Sequence, residues 1–172
     1  MSETQSIQSW LKDNKITEIE CIISDLTGIA RGKIMPASKF TETTITRIPE
    51  SVLMLTVTGD YTNDYSMIDD AEIDIYLKPD LSAVKLLPWA QEPTAQIIHD
   101  CYDANDELVD MAPRTVLRRV LKLYADQGLT PIVAPEMEFY LTKRNLDPDF
   151  PLEPPVGRSG RAETGRQSYS ID

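Results

Sequence analysis

The sequence predicts an α+β fold built on a mixed sheet, and three observations carry that prediction. Five or six short strand-like runs fall before residue 108, each bounded by Gly, Pro, Asn or Asp. One of them, "EIDIYLKPD", sets Ile73, Ile75 and Leu77 against Glu72, Asp74 and Tyr76, the period of two that marks a half-buried strand. After residue 108 the texture changes to a helical period, with Val116, Leu117, Val120, Leu121 and Tyr124 on one face of "RTVLRRVLKLYADQ".

Taken in order, residues 3–14 read as a short amphipathic helix, with Ile7, Trp10 and Leu11 at i, i+3 and i+4. Thr17–Asp25 is an Ile-rich strand, "DLTGIARGK" turns the chain, and a second strand follows near Arg31–Met35 and ends at Pro36. Val52–Thr58 ("VLMLTVT") reads as a third strand, apolar enough to be buried on both faces. The acidic, base-free run from Asp60 to Asp70 reads as a loop. Beyond the Glu72–Asp80 strand, two more are expected near Ala83–Leu87 and Thr94–Tyr102, closed by an Asp103–Asp106 turn. Pro113 and Gly128 then bracket the helix, at positions that suit a first helical residue and a stop. Pro131–Thr142 reads as a further strand. Lys143–Asp172, with four Pro and three Gly, reads as a disordered tail or as an active-site loop without its supporting strands.

Charge narrows the functional classes. The net charge is −11, and residues 1–142 carry all of it, with 12 Lys+Arg against 23 Asp+Glu. No basic cluster is present to neutralise phosphates, which argues against nucleic-acid binding. The start lacks a signal-peptide pattern and no apolar run is long enough to span a membrane, so a cytoplasmic chain is expected. Cys21 and Cys101, both in apolar runs, read as reduced core residues, and His99 as a core or half-buried histidine. Arg31, Gly32 and Lys33 read as a basic hairpin edge, and Arg118 and Arg119 as a solvated helix face.

The stretch "VAPEMEFYL" holds the most informative pair. Strand alternation would put Glu136 and Glu138 on one face, roughly 6.5–7 Å apart at Cα, with Met137, Phe139 and Leu141 on the other. Two carboxylates that close repel, and burial makes each charge costlier. A divalent cation such as Mg²⁺ or Mn²⁺, both oxygen-seeking, would remove the conflict. On its own the E-x-E pattern also fits an amphipathic edge strand with its Glu row in water, or a carboxylate acid/base pair.

The surrounding segments add to that reading. "IYLKPDLSAVKLLPW", "AQIIHDCYD", "DMAPRTVLRRVL" and "APEMEFYL" occur in the order found in the glutamine synthetase family, which this chain closely resembles from about residue 15 onward. "IARGKIMP" and "GRSGRAETGRQSYSID" look more like its γ-glutamylpolyamine (γ-glutamylputrescine) synthetase branch than like ammonia-using members. The resemblance implies a β-grasp-like N-terminal domain over residues 1–108. Residues 109–172 would then be the first helix, strand and loop of an incomplete catalytic domain. It implies ATP-dependent joining of the glutamate γ-carboxyl to an amine through γ-glutamyl phosphate. Glu136 would ligate the Mg²⁺ or Mn²⁺ on the nucleotide phosphates, and Glu138 the one on the glutamate side. It also implies ring-shaped homo-oligomers with active sites shared between subunits. Asp60, fourteen residues before Asp74, falls where ammonia-using members carry the Asp that holds ammonium in a neighbouring subunit's site. Asp60-Tyr61-Thr62-Asn63 departs from their Asp-Gly-Ser-Ser, which points to a bulkier amine. The readings that stay open are an ammonia-using enzyme and a non-catalytic binding or assembly module of the β-grasp type. With two of the metal ligands present, a truncated chain without activity of its own is expected.

Overall fold

A computed structural model describes residues 3–62, 66 and 71–163. They form two compact units, divided after Pro131. In the first, the order is α1 (Glu3–Asp13), β1 (Glu18–Ser24), β2 (Ala30–Pro36), α2 (Ala37–Glu42), β3 (Thr46–Pro49), a 3₁₀ turn (Glu50–Met54), β4 (Asp74–Leu86), β5 (Thr94–Tyr102) and α3 (Pro113–Asp126).

The five strands make one mixed sheet in the order β2-β1-β5-β4-β3. The central pair β1 and β5 is parallel, with Cys21 opposite Ile97, and the other pairs are antiparallel. A parallel pair cannot be joined by a hairpin, so the intervening residues wrap around the sheet before β5 returns to its middle. Alternation decides the core. Ile19, Cys21 and Ile23 of β1 share a face with Ala95, Ile97, His99 and Cys101 of β5, and all are buried. At one end of that face α1 and α2 pack Ile7, Leu11 and Phe40. At the other, Ile48, Leu53, Ile75, Leu77, Val109 and Ala112 close over Ile23 and Cys101. The two cysteines are free and buried and His99 is a core residue, as read from the sequence.

Several elements differ from the sequence reading. Val52–Thr58 is not a strand: Pro49 starts a 3₁₀ turn that buries Ser51 and Leu53, and the chain then turns back at Thr56–Gly59. The short β3 ahead of it was not anticipated. Leu53 reaches the core from a helical turn, which an apolar run alone does not distinguish from a buried strand. The strands expected at 72–80 and 83–87 are one strand, β4, with its register shifting between Pro79 and Val84. Pro has no N–H to donate to a ladder, so an irregularity at Pro79 keeps both halves paired. Within the Asp60–Asp70 loop, residues 63–65 and 67–70 lie outside the described residues.

Pro113 is the first residue of α3, and Gly128, at φ 69°, follows its end, where Leu129 N–H donates to Tyr124 O. The face carrying Val116, Leu117, Val120, Leu121 and Tyr124 is exposed.

The second unit, described through residue 163, contains a small hairpin in which Val156 bridges Ala162, and Lys143 pairs with Glu153 at 2.7 Å. The strand expected over 131–142 does not form, because no described residue pairs with that segment and a strand exists only by its ladder. Residues 164–172 lie outside the described residues.

Candidate functional site

Asp60 sits at the end of a tight turn that begins where the 3₁₀ segment runs out. Gly59, at φ 87°, donates its N–H to Thr56 O at 2.9 Å, a geometry that favours glycine. Thr56 N–H donates to Asp60 O at 2.9 Å, and Asp60 N–H donates to Thr56 Oγ1 at 3.0 Å. Thr58 Oγ1 donates to Asp60 Oδ2 at 2.7 Å, so the carboxylate is oriented while the residue stays exposed. A short hydroxyl-to-carboxylate bond of this kind fixes the direction in which the carboxylate points.

Sequence reasoning missed the pair behind this loop. Asp25, in the turn between β1 and β2, has a fully buried side chain. Its Oδ1 accepts from Thr27 N–H (2.9 Å), Thr27 Oγ1 (2.8 Å) and Ile29 N–H (2.9 Å). Its Oδ2 accepts from Arg31 Nε at 2.8 Å. Burial pushes the Asp25 carboxyl up, but these hydrogen bonds, led by Arg31, hold it below the usual carboxylate range. The available signal was "DLTG", an Asp whose side chain can cap its own turn. β2 is an edge strand, as expected of a hairpin edge, but the Arg31 side chain turns inward to Asp25.

Arg118 is exposed, as read, but it is also paired. Its Nη2 donates to Asp100 Oδ2 at 2.7 Å, and Arg114 Nε donates to Asp100 Oδ1 at 2.7 Å. Arg114 also pairs with Asp80 of β4. Spaced four apart, the two arginines share one face of α3 and grip both strands. Arg119 pairs instead with the exposed Asp110.

In the second unit, Glu136 and Glu138 are both exposed, and neither makes an ion pair or hydrogen bond with another described residue. Met137, Phe139 and Leu141 between and beyond them are exposed as well. Carboxylate oxygens are the donors that hard cations prefer, so the pair suits Mg²⁺ or Mn²⁺ as part of a ligand set. Among the described residues, no group of three or more His, Cys, Asp or Glu comes together that could hold a metal ion. Nor, among them, is any helix long and apolar enough to cross a membrane.

Along the chain a mixed sheet is followed by α3 and then by the Glu-x-Glu segment. Residues 110–172 match the model of the glutamine synthetase catalytic domain, and that segment belongs to the glutamine synthetase family. Among curated proteins it is similar to gamma-glutamylputrescine synthetase PuuA of Escherichia coli, 30% identical over 98% of this chain and 37% of that protein. It is also similar to glutamate–isopropylamine ligase of Pseudomonas sp., 30% identical over 81% of this chain and 31% of that protein. A third relative is glutamine synthetase of Archaeoglobus fulgidus, 27% identical over 82% and 28%. The chain thus spans about a third of the length of these curated relatives. In fold it resembles a solved structure described as "GmaS/ADP complex-Conformation 1". The TM-score is 0.51 at 21% identity, covering 69% of this chain and 25% of that one.

Proposed function

We propose that this chain is the N-terminal portion of an ATP-dependent glutamate–amine ligase, with a cationic polyamine such as putrescine as the amine. The observation that carries the proposal is the Glu136/Glu138 pair, exposed and unpaired inside the segment that matches the glutamine synthetase catalytic domain. Similarity over nearly the whole chain to a γ-glutamylputrescine synthetase, and the Asp60-Tyr61-Thr62 sequence, support the choice of amine.

In this reading residues 1–108 are a β-grasp-like domain, supported by the central parallel β1/β5 pair, and the catalytic domain starts near residue 109, supported by a family match from residue 110. Glu136 holds the divalent cation that serves the nucleotide phosphates, and Glu138 the cation on the glutamate side. Bound Mg²⁺ or Mn²⁺ would neutralise charge on the phosphoryl oxygens while the γ-carboxylate is phosphorylated. Asp60, oriented by Thr58, pairs with the cationic amine. The excess negative charge of residues 1–142 favours the approach of a polycation. The working protein is a cytoplasmic homo-oligomer in which the Asp60 loop serves a neighbouring subunit's site.

Two carboxylates are a fraction of the ligands that two hard cations require. The 172-residue chain mixed with ATP, Mg²⁺, glutamate and putrescine is therefore expected to release no phosphate above background. Release by the chain alone contradicts the reading. Phosphate release by the native-length protein that depends on ammonia and ignores putrescine would favour the ammonia-using alternative.

A further inference from the structure

The turn that carries Asp60 is tied to the rest of the sheet through one guanidinium. Arg31 spends its Nε on the buried Asp25, at 2.8 Å. Its Nη2 continues to Thr56 O at 3.3 Å, and its Nη1 lies 3.9 Å from where a Cβ on Gly59 would stand. Thr56 O is also the acceptor for Gly59 N–H, and Thr56 Oγ1 the acceptor for Asp60 N–H. One cation therefore braces the first residue of the turn and lies alongside its fourth. A second tie, Leu26 N–H to Leu53 O at 2.9 Å, fixes the β1–β2 turn against the 3₁₀ segment just before the loop.

We infer that Arg31 is a positioning residue for the amine co-substrate, acting through the Thr56–Asp60 turn without contacting the amine. The inference rests on the reading of Asp60 as the group that pairs with the amine. Two physical points favour Arg31 in this place. Its planar fork serves two acceptors that face it from different segments, which a lysine ammonium on a flexible stem does not reproduce. Its charge is balanced by Asp25, whose carboxylate is fully buried against it, so the brace does not set an uncompensated cation beside the site of a cationic ligand.

The test compares the chain with Arg31→Lys and Arg31→Ala. Amide exchange at Gly59, Asp60 and Ile97 is followed by NMR and the unfolding temperature is recorded, and the putrescine KM is measured in the native-length protein carrying the same substitutions. Arg31→Lys keeps a cation for Asp25 and so keeps the fold even if Arg31→Ala does not. Loss of a charge-assisted hydrogen bond predicts about tenfold faster exchange at Gly59 and Asp60 in Arg31→Lys, with Ile97 unchanged. It also predicts an about fivefold higher putrescine KM in the native-length protein. Exchange at Gly59 and Asp60 equal to the parent chain in Arg31→Lys overturns the inference. So does faster exchange with the putrescine KM unchanged. If Asp60→Asn leaves the putrescine KM of the native-length protein unchanged, the assignment of Asp60 fails. The exchange comparison still decides whether Arg31 braces the turn.

Discussion

Arg114 donates through Nε to Asp100 Oδ1 at 2.7 Å, and this bond joins α3, inside the segment matching the catalytic domain, to β5 of the sheet. Asp100 belongs to the row of β5 opposite to His99 and Cys101, so α3 is clasped from the face that the apolar core does not use. Arg118 and Asp80 complete a four-residue cluster.

Asp100→Asn removes the charge that both arginines share, at a side chain only 13% exposed. Stability should fall by about 1–2 kcal/mol, more than an exposed pair contributes. Amide exchange in α3 should rise. Asp110→Asn, which breaks the exposed pair with Arg119, should leave urea denaturation unchanged.

Acid should weaken the molecule through Asp25. Its native pKa lies below the ordinary value, so the stability it contributes is complete above the unfolded pKa of about 3.9 and is lost as pH falls below that. Asp80 adds in the same direction, held low by the Ser82 hydroxyl against the opposing effect of burial, and by Arg114 and Arg118. Urea midpoints between pH 7 and pH 3 should therefore fall less steeply in Asp25→Asn than in the parent chain.

Gly32 should not tolerate a side chain. A Cβ there would stand 1.8 Å from the Cys21 carbonyl oxygen, a backbone atom that can move only if β1 and β2 separate. Gly32→Ala is expected to cost about 1–3 kcal/mol by chemical denaturation, the range of forced overpacking.

Burial pushes the Cys21 thiol up to about 11 and the Cys101 thiol up to about 12, the latter with help from the Asp100 charge. Thiolate is the reactive form, so neither should react with a disulfide reagent at pH 8 until the chain unfolds. Rapid labelling of the native chain would contradict the placement of both residues.

Legibility in the sequence followed the range of the forces involved. β1, the first half of β4 and α3 were visible because their signals are local: β1 is Ile-rich, Ile75 and Leu77 alternate with polar neighbours, and Val116 and Val120 repeat with the helix. The 3₁₀ turn at Glu50–Met54 was not, because burial of Leu53 is set by a distant sheet and leaves no local period. The Glu-x-Glu segment was visible as a motif, but its strand was not realised, since a ladder needs a partner that the described residues do not supply. Asp25 and Arg31 were hidden for a related reason. A turn aspartate and an edge arginine are ordinary on a surface, and only the fold shows that the first is buried and that the second reaches Thr56.

The central claim is that Glu136 and Glu138 each hold one of the two divalent cations of a glutamate–amine ligase. It is tested most directly by phosphate release from ATP by the native-length protein, with glutamate, Mg²⁺ and putrescine, in the parent sequence and in Glu136→Gln. The account predicts release that requires both glutamate and amine. It also predicts a loss of about a hundredfold or more in the variant, with rising Mg²⁺ or Mn²⁺ restoring part of it. Release that is indifferent to the amine, or that is equal in Glu136→Gln and the parent, would contradict it.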